Sequence, residues 1–237
     1  MYLSSGGRKR DRRFLLCSVH GDRCDPRLCP AFRDAEESGI GAVDSFGSTA
    51  GVATKYKIDD SDRGTEATVD QMAALVRATM NTRFAAENAE RIIGEFRPRI
   101  ERGDYLSEIK ALFQYAQGTH PRLRGLRYFK DVYHAETLQH PKRTEEWGGG
   151  DCDDLTTHLS GHLLARRYGP VRIVVVAADA ARDDEFSHVY LHVAAPDGEY
   201  VDELDGSRWI PLDPTVGFEM GWEVPDPFRK AYFEVSR

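Results

Sequence analysis

Three residues of this chain have the types that nucleophilic thiol chemistry needs: Cys152, His188 and Asp213. Cys152 follows Gly148, Gly149, Gly150 and Asp151, and it precedes an apolar pattern of Leu155, Leu159 and Leu163 at four-residue steps. That spacing predicts a helix beginning at the cysteine and ended by Gly169 and Pro170. A thiol at a helix N-terminus feels the positive end of the dipole and the unpaired backbone N–H groups there, which favour thiolate. Glycines before it let the backbone turn sharply and lie close to a substrate. The competing reading is a buried structural cysteine at a helix start, and the local stretch alone leaves both open.

A nucleophilic thiol needs a base within reach and a third group to orient that base. Phe186–Val193 alternates, placing Val189, Leu191 and Val193 on one face and His188, Tyr190 and His192 on the other. His188 is the expected base and Asp213, at the end of a later strand, the orienting acid. Rivals exist for each role. His192 shares the face of His188 but lies about 13 Å along the strand, so one of the two can meet the thiol. Asp202 and Asp205 compete with Asp213, although both adjoin turns, where acids are ordinary. His158 and His162 share a helix face and could join Asp154 at a metal; the plainer reading is two polar positions on a solvated face. Asp151, Asp153 and Asp154 favour the helix start but raise the thiol pKa, so a thiolate here depends on an ion pair with protonated His188. They equally suit a cationic substrate or exclude an acidic one. The Cys152 N–H is the expected oxyanion donor, with Gln139 or Trp147 as the second and Asp151 at the substrate site. Trp147 equally reads as a wall of the site or an anchor in the core.

The chain has 237 residues, 41% hydrophobic and 30% charged, and a net charge of −7, which argues against general nucleic-acid binding. The basic run Arg8–Arg13 reads as a solvated tail. No apolar stretch approaches the ~20 residues of a membrane span, and none resembles a signal-peptide core. The expected location is cytoplasmic or virion-associated, where four cysteines do not suggest a disulfide frame. Residues 1–55 read as a flexible leader and linker, and 56–237 as the domain. Cys17, His20, Cys24 and Cys29 could bind zinc, but their spacings of three, four and five lack the usual knuckles. Pattern predicts a short strand at 54–58 and helices from about Thr68, over 83–96, and after an Asp104 cap. Residues 123–139 read as a connection, and 142–146 as a polar stretch. Strands follow at 171–178, 186–193, 199–203 and 208–212, with turns at Asp197-Gly198 and Asp205-Gly206, then a Pro-rich tail that ends polar. Helices first and an antiparallel sheet after make the class α+β.

Gly150-Asp-Cys-Asp-Asp154, then Ser187-His-Val-Tyr-Leu-His-Val193, then Trp209-Ile-Pro-Leu-Asp-Pro-Thr215 resemble the transglutaminase-like superfamily. The resemblance covers about Leu106–Gly217 and is nearest to small stand-alone bacterial and phage members. It implies a papain-like core, with helices packed on an antiparallel sheet and the nucleophile at the start of the central helix. It assigns Cys152, His188 and Asp213 as the catalytic triad. Two departures stand out: aspartates flank the cysteine where animal cross-linking enzymes carry an aromatic, and Glu199–Asp205 adds acidic sequence. The calcium sites of those enzymes have no counterpart segment. The expected activity is acyl transfer from a peptide or protein amide, most simply to water (protease or amidase), with an amine acceptor (transglutaminase) as the variant; no cofactor is required. The alternatives are an idle structural module, such as a phage-particle or assembly component, and a zinc-binding interaction protein built on the N-terminal cysteines.

Overall fold

The computed structural model describes residues 54–56, 62–96, 104–130, 136–194 and 209–235. All of these belong to one unit, Gly41–Arg237. The zinc candidates Cys17, His20, Cys24 and Cys29, the rivals Asp202 and Asp205, and both Asp-Gly turns lie outside the described residues. The domain boundary expected at 55/56 falls within strand β1, Thr54–Tyr56.

Helix α1 spans Asp62–Met80 and starts six residues before the expected Thr68. Thr68 does not cap it; its hydroxyl donates to the Gly64 carbonyl at 3.1 Å, as an interior threonine does. Helix α2, Arg83–Phe96, has the expected bounds and buries Ala85, Ala89, Ile92 and Ile93. Helix α3, Tyr105–Ala116, is capped by Asp104, whose carboxylate accepts the Ser107 N–H at 3.1 Å. Strands β2 (Arg127–Tyr128) and β3 (Glu136–Leu138) follow, β3 pairing with β1.

The polar stretch at 142–146 lies in helix α4, Pro141–Trp147. At seven residues it is too short to display an apolar period, but its ends are well marked. The His140 side chain accepts the Lys142 N–H, Pro141 sits in the first turn, and Gly148 closes the helix at φ +75°. Strand β4, Gly149–Gly150, pairs in parallel with β2. Helix α5, Cys152–Ala165, comes next and is the hub of the fold: α1, α2, α3 and α4 all pack on it. Every residue from Asp153 to Leu164 is buried. The solvated face expected for His158 and His162 therefore does not exist, because neighbouring helices close around α5 on that side as well.

A four-stranded antiparallel sheet completes the fold. It is ordered β7–β6–β5–β8, with β5 Val171–Ala177, β6 His188–Ala194, β7 Trp209–Leu212 and β8 Arg229–Val235. β8 corrects the expectation of a polar tail: it pairs with β5 along its full length. Ala231, Phe233 and Val235 alternate inward there, a period-two signal obscured by the charges of Arg229, Lys230 and Glu234. Val171, Ile173, Val175, Val189, Leu191 and Val193 face the helices and join one core with Leu155, Leu159 and Leu163. On the other face Val174, Val176 and Tyr190 form a smaller cluster with Val224 and Tyr232. Both faces of β5 are thus covered, which is why that strand reads as an unbroken apolar run. Among the described residues no helix is long and apolar enough to cross a membrane. The observed class is α+β, with helices packed on one face of an antiparallel sheet.

Candidate active site

Cys152 is the first residue of α5, half-buried against the main core and in no disulfide. His188 opens β6 and Asp213 directly follows β7, so the expected pair stands on adjacent strands. His188 Nε2 lies 2.7 Å from Asp213 Oδ2, with both side chains almost fully buried. Burial alone would raise the Asp213 carboxyl, but the His188 imidazole and the Thr215 donors outweigh it and hold it below the usual carboxylate range. Thr215 donates to Asp213 Oδ1 twice, from its backbone N–H at 3.0 Å and its hydroxyl at 2.7 Å. An ionised Asp213 accepts from His188 Nε2–H, which fixes the tautomer. His188 Nδ1 is then a lone pair, and that atom is buried with no hydrogen-bond partner among the described residues.

The helix and the strand meet close by. Thr156 Oγ1 donates to the Val189 carbonyl at 3.4 Å. Cys152 lies one helical turn before that contact and His188 one residue before it. His192 is placed elsewhere. Arg172 Nε and Nη2 reach its Nδ1 at 3.1 and 3.0 Å, and its Nε2 lies 2.6 Å from Glu223 Oε1. Both of its ring nitrogens are occupied, and burial lowers its pKa.

Asp151, Asp153 and Asp154 are all buried, with one carboxylate oxygen of each within 4.8 Å of the others. Burial, and next the Asp153 carboxylate, push the Asp151 carboxyl well above its ordinary value, which weakens its tendency to carry charge beside the thiol. Asp154 has a structural task. Its Oδ1 accepts the Gln139 N–H at 2.6 Å and its Oδ2 accepts the Gln139 side-chain amide. The side-chain N–H of Gln139, one of the expected oxyanion donors, is thereby committed to bracing the first turn of α5. Trp147, the other, ends α4 half-buried beneath the Arg143 guanidinium, 4.1 Å above its ring.

A second buried polar group, which spacing alone did not suggest, ties α4 to α5. Glu145 accepts from Tyr115 at 2.6 Å and Arg91 at 3.0 Å, and His158 Nε2 lies 3.1 Å from its other oxygen. His162 stacks on His158 at 4.1 Å and meets Asn88 at 3.0 Å. These partners account for the two histidines, and Asp154 lies with Gln139 instead. Burial opposes ionisation of Glu145, but His158 and then Tyr115 hold its carboxyl down at about 2. Burial, then His158, depress His162 to about 3.

A pH prediction follows from Glu145. Its folded value lies below its unfolded value near 4.5, so its contribution is complete above pH 4.5 and is lost as pH falls through about 2. His162 acts in the same sense between pH 6.5 and 3, whereas Asp151 and Asp153, with raised carboxyls, act in the opposite one. The comparison that isolates Glu145 is therefore Glu145→Gln against wild type in urea at several pH values. The wild type should be more stable by on the order of 3 kcal/mol at pH 6, with the gap closing between pH 4.5 and 2. A gap independent of pH would show that Glu145 does not act through its charge.

No protein-family model matches this chain, and no curated protein matches it.

Proposed function

We propose that the protein is a cysteine-dependent acyl-transfer enzyme with a papain-like core of the transglutaminase-like type, acting on a peptide or protein amide. The observation that carries this reading is the His188 ring. Asp213 holds its Nε2–H, and its Nδ1 lone pair is buried without a partner among the described residues. A buried acceptor left in that state is costly unless it has a use. In the proposed reaction Nδ1 takes the Cys152 thiol proton, and the thiolate attacks the amide carbonyl carbon. The Cys152 backbone N–H, at the positive end of α5, stabilises the oxyanion. His188 then passes its proton to the leaving amine as the C–N bond breaks. Water, activated by the same Nδ1, hydrolyses the thioester and restores the thiol.

The test is the pH dependence of Cys152 alkylation by iodoacetamide, followed by peptide mapping so that Cys17, Cys24 and Cys29 are scored separately. Wild-type Cys152 should react well below the ordinary thiol pKa of about 8.5. His188→Ala should lower the rate at pH 6 at least tenfold, since the imidazolium that stabilises the thiolate is gone. A Cys152 that titrates like a free thiol and ignores His188 would overturn the enzyme reading and favour a structural module.

A further inference from the structure

The segment that begins at Asp213 does not leave the sheet. It returns through a Gly221 N–H bond to the Pro211 carbonyl at 2.9 Å, then crosses the face of the sheet opposite the helices. There one atom, Glu223 Oε1, meets three groups from two strands. Tyr190 Oη donates to it at 2.8 Å, His192 Nε2 at 2.6 Å and Lys230 Nζ at 2.6 Å. The bond from His192 is well defined, because Arg172 donates to the other ring nitrogen and leaves the proton on Nε2. The Tyr190 ring, fully buried, lies nearly parallel to the His188 imidazole, with centroids 5.8 Å apart and planes at 28°. Glu223 therefore fastens the chain ten residues beyond Asp213 and, through Tyr190, fixes the wall against which His188 rests.

We infer that Glu223 is a positioning residue for the His188–Asp213 pair, latching the segment that carries Asp213 across the sheet and holding the Tyr190 ring beside the imidazole. The inference rests on the acyl-transfer reading for its purpose, but the geometry it predicts can be measured without any catalytic assay. Orientation of the base is what the third member of a triad supplies, and its precision depends on the groups that hold that member in turn. A carbonyl oxygen can accept the same three donors, so the latch works through hydrogen-bond geometry, and glutamine should replace glutamate.

Two readouts test this on the full-length protein. The first is the downfield proton resonance of the His188 Nε2–H held by Asp213, assigned by its absence in His188→Ala. The second is the rate of Cys152 alkylation at pH 6. Glu223→Ala should broaden the resonance by exchange with water and slow alkylation about tenfold, while Glu223→Gln keeps the resonance and stays within threefold of wild type. If Glu223→Ala does not fold, Tyr190→Phe, which deletes the hydroxyl and keeps the ring, should still speed exchange of the His188 proton severalfold. An unchanged His188 resonance in Glu223→Ala, or in Tyr190→Phe where only that variant folds, would overturn the latch. So would a Glu223→Gln variant as impaired as Glu223→Ala, which would assign the role to charge. If alkylation ignores His188 altogether the acyl-transfer reading fails, and the resonance alone still decides the latch.

Discussion

Asparagine at position 213 should be more damaging than alanine. Asp213 Oδ1 is occupied by two donors from Thr215, at 3.0 and 2.7 Å, and Oδ2 faces His188 Nε2 at 2.7 Å. The Thr215 backbone N–H can only donate, so the single oxygen of an asparagine must stay on that side. The amide nitrogen is then directed at His188 Nε2 and donates to it, which moves the imidazole proton to Nδ1. A base with its proton on Nδ1 cannot accept from the thiol. Acylation of Cys152 by a p-nitrophenyl ester should fall by roughly four orders of magnitude in Asp213→Asn, the size of loss seen when a triad carboxylate becomes an amide and enforces the wrong tautomer. Asp213→Ala leaves the ring unanchored but free to adopt either tautomer, so it should retain more activity than Asp213→Asn. The reverse ranking, or an asparagine variant within tenfold of wild type, would mean that Nδ1 is not the base.

The residues of that pair were legible because chemistry restricts their types and strand periodicity restricts their faces. Alternation alone placed His188 away from Val189 and Leu191, and Asp213-Pro-Thr215 carries the local signal of a carboxylate folding back on its own backbone. The apolar steps of α2, α3 and α5 and the unbroken run of β5 were readable for the same reason: a buried face must repeat with the period of its element. What was not readable was set by partners remote in sequence. His158 and His162 look like a solvated face because nothing local shows Glu145 or Asn88, which reach them from other helices. Glu223 stands in an aperiodic segment, and its meaning comes from Tyr190, His192 and Lys230 on two strands. Gln139 reads as a free amide until Asp154, fifteen residues on, is seen to hold it. Short elements failed differently: α4 was announced by its caps, not by its interior, and the charges of β8 concealed its alternation.

The three glycines before Cys152 should respond to alanine in three different ways, because each is glycine for a different reason. Gly148 has φ +75° and nothing within 4 Å of a built Cβ. Gly148→Ala therefore costs the left-handed conformation alone, about 1–2 kcal/mol. Gly149 combines φ +155° with a Cβ that would overlap the Arg127 carbonyl oxygen and sit 2.7 Å from the Phe129 ring. Relief requires parting β4 from β2 and losing the bonds from Arg127 N–H to Gly148 and from Phe129 N–H to Gly150, at 2.9 and 2.8 Å. Strain and overpacking together make Gly149→Ala the most destabilising of the three, by roughly 4 kcal/mol or more. Gly150 has no unusual φ, but its Cβ would overlap the Asp154 carboxylate. Gly150→Ala should cost an intermediate amount, about 2–3 kcal/mol, and should displace Asp154 from Gln139. Urea unfolding of the three variants measures the ranking, and Cys152 alkylation in each separates its causes. Gly148→Ala leaves the thiol environment as it is, whereas Gly150→Ala disturbs the first turn of α5 that carries it. Equal losses in all three would mean that the stretch serves as a flexible hinge, with none of the close approaches that set Gly149 and Gly150 apart.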